Sequence, residues 1–166
     1  EHEHEGKDPH IWMSPKRVVV MIEKIRDELI NIDNENKEIY NDNAKKYIDE
    51  LKSVDSEIKT ILKGNEKESF IIFHPSMGYF AEDYNLEMVA IEESGKEATA
   101  KKLENVIDFA KKKKIKFVFY QEEFDDSQAK TIADEIGGST LKIAPLDSDY
   151  IENLKEIANS FKKVLR

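Results

Sequence analysis

Four histidines, at positions 2, 4, 10 and 74, are the strongest metal-binding groups in a chain of 166 residues that has no cysteine. Without thiolates, a transition-metal site here has to be built from imidazole and carboxylate. His74 directly follows the apolar run Phe70-Ile71-Ile72-Phe73 and precedes Pro75, which places it at the carboxyl end of a strand. His10 sits in Asp8-Pro9-His10-Ile11-Trp12, just ahead of a helix start. Pro9 restrains that loop and Trp12 can anchor it, so the imidazole can keep the single orientation that metal binding needs. His2 and His4 alternate with Glu1, Glu3 and Glu5, a composition suited to weak, exchangeable capture of divalent metal. Position alone leaves plainer alternatives standing. His74 also reads as a loop residue satisfied by the backbone, Asp8 as a helix cap beside an incidental His10, and the acidic run as a tag remnant.

Carboxylates and amides at other strand ends widen the set. Glu92 and Glu93 follow the second apolar run, Gln121 and Glu122 the third, and Asp147 lies beyond the fourth. All can face a cleft at the carboxyl edge of a sheet. Solvated strand ends explain them better than direct metal contact does. A supporting role, accepting a hydrogen bond from the second nitrogen of His74, fits one of them.

The elements that must position these groups follow from periodicity. Ser14-Pro15 reads as a helix N-cap and first turn, and Val18, Met21, Ile22, Ile25 and Leu29 continue it as one amphipathic helix. A polar break at Asn31 to Asn36 precedes the longest helical signal. There Tyr40, Ala44, Tyr47, Leu51, Val54, Ile58 and Ile61 recur at alternating four- and three-residue spacing, and Gly64-Asn65 ends the run. A strut packed along a globular lobe suits this stripe better than a coiled coil, because it includes small and aromatic residues. From residue 69 the pattern becomes strand and helix in alternation. Apolar runs lie at 69–73, 87–91, 116–120 and 140–143, and Gly137-Gly138 closes one of the intervening helices. The expectation is an α/β fold: a long connecting helix plus a three-layer lobe, with a four-stranded parallel sheet and helices on both faces. Ligands of such sheets bind at the carboxyl ends of the strands.

Three segments carry a family resemblance. DPHIWMSP at 8–15, HPSMGYFAEDYNL at 74–86 and ESGKEATAKKL at 93–103 resemble signatures of the cluster A-I metal-binding proteins, the solute-binding components of zinc and manganese ABC importers. The likeness continues through the long helix to the terminal PLDSDYIENLKEIA. It implies two α/β lobes joined by a rigid helix, with metal between them. On that plan residues 1–13 close the N-terminal lobe, 14–64 hold the short helix and the inter-lobe helix, and 65–166 form the C-terminal lobe. His10 and His74 match two of the family's metal ligands, and the early N-lobe histidine has no counterpart. Where many members carry an aspartate near the last strand, this chain has Ala144, leaving Asp147 and Asp149 as remote substitutes. Imidazole donors and the acid-histidine run favour Zn²⁺ over Mn²⁺.

The resemblance implies extracytoplasmic capture of zinc, by a periplasmic protein or surface lipoprotein, for delivery to a membrane permease, with no catalysis. Signal and anchor would lie outside this piece of a longer protein. A manganese-type protein or surface adhesin of the same family is the nearer alternative, and a zinc hydrolase the more distant one, since no His-Glu-x-x-His pair is present. The net charge of −9 argues against nucleic acid and anionic membrane surfaces as partners. An uncovered apolar face on the first two helices would favour a homodimer.

Overall fold

The computed structural model describes residues 7–92, 98–123 and 126–165. A 3-10 turn at Ile11–Met13 leads into α1 (Pro15–Ile32), and a second at Asn34–Asn36 leads into α2 (Lys37–Ile61). Strands and helices then alternate: β1 (Ser69–Ile72), α3 (Gly78–Asp83), β2 (Glu87–Ala90), α4 (Ala100–Lys113), β3 (Phe117–Gln121), α5 (Ser127–Glu135), β4 (Ser139–Ile143) and α6 (Tyr150–Val164). The four strands pair in parallel in the order β2-β1-β3-β4. This is the α/β architecture that the alternation implies. Strand ends move by a residue or so, and α1 runs on through Asn31 and Ile32, so the break between the helices is shorter than expected. Helix α3 was not anticipated. Its six residues are too few to display a helical period.

Burial of the sheet on both faces explains why β1 reads as an unbroken apolar run. Successive side chains on a strand point to opposite faces. Phe70 and Ile72 therefore join Val54, Ile58, Phe80, Phe119, Leu154 and Phe161 beneath α2, α3 and α6. Ile71 and Phe73 join Val106, Val118, Ala129 and Ile132 beneath α4 and α5. At the end of α5, Gly137 takes a left-handed φ of 60° that a side chain would resist.

Helix α1 starts as its sequence indicates. The Ser14 hydroxyl accepts from the Arg17 amide at 3.2 Å, and Pro15 occupies the first helical position. Along α2, Ala44, Ile48, Leu51, Val54 and Ile58 are buried while the opposite face is solvated. Of the α1 stripe Val18 is buried, but Met21, Ile25 and Leu29 stay between 37% and 51% exposed.

A buried polar contact helps tie α2 to the sheet. The Tyr84 hydroxyl donates to Asp55 Oδ1 at 3.1 Å, and Lys59 pairs with Asp55 Oδ2 at 2.5 Å. Burial, reinforced by the Asp55 carboxylate, pushes the Tyr84 phenol well above its ordinary range, so it remains a donor. Asp55→Ala leaves that buried hydroxyl without its acceptor and is expected to cost about 1–3 kcal/mol. Urea denaturation measures it. An unchanged midpoint would show that Asp55 contributes nothing to the anchoring of α2.

Candidate metal centre

The site lies where the strand order changes direction. β1 sits between β2 and β3, and His74 stands just beyond the β1 carboxyl end, at the switch point that parallel sheets use for ligands. The β1–β2 register fixes its neighbour. Ser69 pairs with Glu87 and Ile72 with Ala90, a constant offset of 18 residues. Pairing continues past the strands, the amides of Ile91 and Glu92 donating to the carbonyls of Ile72 and Phe73. The same offset brings Glu92 beside His74, and their side chains meet at 2.7 Å between Nδ1 and Oε2. The loop after His74 is held from the other flank. Ser76 is fully buried, and the Gln121 amide at the end of β3 donates to its hydroxyl.

His10 arrives from the opposite direction on a loop clamped to the same edge. Asp8 Oδ1 accepts from both the His10 amide, at 2.9 Å, and its Nδ1, at 2.7 Å. Trp12 lies edge-on to the His10 ring, with centroids 5.3 Å apart, and its indole donates to the Pro145 carbonyl at 3.1 Å. The Tyr150 hydroxyl donates to the Trp12 carbonyl, and Met13 is buried in the core. On the other flank Tyr79 donates to the Asp8 carbonyl at 3.0 Å. Arg17 lies over the Tyr79 ring and pairs with Asp83 and Glu82 of α3. The loop thus rests on α3 and on the segment after β4 at once.

The outcome is a pair of imidazoles with their Nε2 atoms 3.2 Å apart. The rings are nearly perpendicular, at 79°. An ionised carboxylate only accepts hydrogen bonds, so each Nδ1 must be the donor. That tautomer leaves a lone pair on each Nε2, directed into one shared space. Two converging lone pairs repel one another and attract a cation, either a proton or a metal ion. Imidazole nitrogens bound to Zn²⁺ at about 2.0–2.1 Å in a tetrahedron are separated by about 3.3–3.4 Å, close to the spacing found here. Each carboxylate behind its ring also supplies the support that metal-binding histidines usually have.

The other sequence candidates sort differently. Glu92 lies behind His74 rather than in the shared space, and Gln121 holds Ser76. Glu122 pairs with Lys142 at 2.7 Å on the exposed surface. Asp147 accepts from the Asp149 amide within its own exposed turn, and the Ala144 carbonyl is taken by Asn153. His2, His4 and Glu93 lie outside the described residues. Among the described residues no group of three or more His, Asp or Glu could hold a metal. Sequence reasoning did not foresee the part played by Asp8, Tyr79 and Arg17. Asp8 had a signal, since Asp often turns its carboxylate onto the backbone two residues on.

Comparison with known proteins decides the family. The family model described as "ZnuA: Zinc-uptake complex component A periplasmic" matches residues 1–164. The chain belongs to the ZnuA family. It is 34% identical over 156 residues to the zinc-binding lipoprotein AdcA of Streptococcus pneumoniae, covering 93% of this chain and 31% of that relative. It superposes on a crystal structure of ZnuA with a TM-score of 0.94 at 36% identity, covering 99% of this chain and 64% of that one. A ZnuA deletion mutant with zinc bound matches with a TM-score of 0.92, again at 36% identity, over 98% of this chain and 63% of that one. The chain therefore spans about a third of AdcA and under two thirds of these ZnuA chains.

Proposed function

We propose that this ZnuA-family chain contributes two ligands, His10 and His74, to a site that captures Zn²⁺ outside the cytoplasm for an ABC-type importer. The observation that carries this reading is the paired Nε2 atoms at 3.2 Å, each imidazole backed by a carboxylate on Nδ1. Zinc is cargo here and has to be released, so the site supplies affinity and geometry rather than chemistry. Neutral imidazoles favour Zn²⁺ over Mn²⁺, which prefers carboxylate and water. Two imidazoles make half of a tetrahedral set. In the whole protein the other positions would be filled from the part of the longer relatives that this chain does not span, or by water. The relatives' names support the extracytoplasmic setting, one being a lipoprotein and the family description periplasmic.

Calorimetric titration of the full-length protein with zinc and with manganese tests the proposal. Two imidazole donors should make zinc bind at least about tenfold more tightly than manganese. Equal affinity for the two metals, or tighter binding of manganese than of zinc, would rule the assignment out.

A further inference from the structure

The His10 half of the site depends on a carboxylate that stands close against position 78. A Cβ built on Gly78 would stand 2.8 Å from Asp8 Oδ2, well inside the roughly 3.5 Å of ordinary van der Waals contact. The same Asp8 carboxylate, through Oδ1, holds both the His10 amide and its Nδ1. The two oxygens belong to one rigid plane, so displacing one moves the other. Gly78 is the first residue of α3, its φ is not in the left-handed region, and among the described residues the other atom within 4 Å is the flexible end of Met88, at 3.8 Å. Nothing in the backbone therefore calls for glycine at this place. The space is what its missing side chain supplies.

We propose that Gly78 is a positioning residue for His10. Its bare Cα admits the Asp8 carboxylate, and that carboxylate fixes the Nδ1–H tautomer and points Nε2 towards His74. The consequence for zinc rests on the function proposed above; the consequence for the imidazole does not.

Gly78→Ala tests this, because fold stability and ring state should respond in opposite ways. Alanine favours a helix over glycine, so the thermal midpoint of the metal-free protein should hold or rise. Nitrogen-resolved NMR of the histidine side chains should show His10 losing its uniform Nδ1–H tautomer while His74 keeps its own. Zinc affinity, measured with zinc alone, should fall by about tenfold. In an Asp8→Ala background the Cβ has room, so adding Gly78→Ala should alter neither His10 nor zinc affinity further. That double variant also carries the test if Gly78→Ala alone misfolds, since an additional effect there would overturn the proposal. An unchanged His10 tautomer in Gly78→Ala would overturn it as well. A changed tautomer with unchanged zinc affinity would uphold Gly78 as the positioning residue and refute His10 as a zinc ligand, so the two ideas fail separately.

Discussion

Replacing His74 with alanine in the full-length protein is expected to lower zinc affinity by about a hundredfold or more, beyond the ten- to hundredfold typical for loss of a supporting group behind a ligand. The substitution removes one of the two Nε2 atoms that converge at 3.2 Å, and among the described residues no neighbouring side chain takes its place. Glu92 is held beside position 74 by the β1–β2 backbone pairing, and Gln121 is committed to Ser76. The variant also strands the Glu92 carboxylate, whose side chain is only 7% exposed, without the partner it had in His74. That raises a stability cost as well. Melting of the metal-free protein separates the two effects, and adding Glu92→Gln to His74→Ala should recover stability while leaving zinc affinity low. Near wild-type affinity in His74→Ala would show that the paired imidazoles are not the zinc site.

How far the sequence reveals this arrangement depends on the range of each interaction. Helix α2 and the strands are legible because their signals are local: Ala44, Leu51, Val54 and Ile58 recur on one face, and Phe70 to Phe73 form an apolar run between polar ends. The position of His74 at a strand's edge follows from that run alone. Its meeting with His10, 64 residues away, does not. Only the motif resemblance suggested the two belong together, because nothing local records that Trp12 reaches Pro145 or that Tyr79 reaches Asp8. Glu92 is an intermediate case. Its place at a strand end is visible, but choosing it from among the strand-end polar groups requires the parallel register and its offset of 18 residues. The stripe on α1 shows the opposite limit. Its periodicity correctly marks a helix but does not say how deeply Met21, Ile25 and Leu29 are buried, which depends on what packs against them.

The largest loss of stability is expected from Phe161→Ala. Phe161 is fully buried on α6, and its ring lies 4.4 Å from Phe119, 4.6 Å from Phe70 and 5.4 Å from Phe80, measured between centroids. It therefore links β1, β3 and α3 to one helix. Truncation of such a ring costs about 3–5 kcal/mol through lost burial and the cavity left behind. Stacked and edge-on partners add to this, since favourable aromatic pairs contribute about 0.5–1.5 kcal/mol beyond their burial. Against a total stability of about 5–15 kcal/mol for a typical domain, the variant should remain folded only marginally. Urea denaturation followed by circular dichroism measures the loss, and Phe161→Leu should recover part of it by refilling the space. A loss under about 1 kcal/mol would mean that this face of the sheet is not close-packed. Site geometry would be affected too, because His74 projects from the end of β1 and the loop carrying His10 rests on α3. Both elements lean on Phe161, so zinc affinity should weaken in Phe161→Ala even though the ring touches neither imidazole.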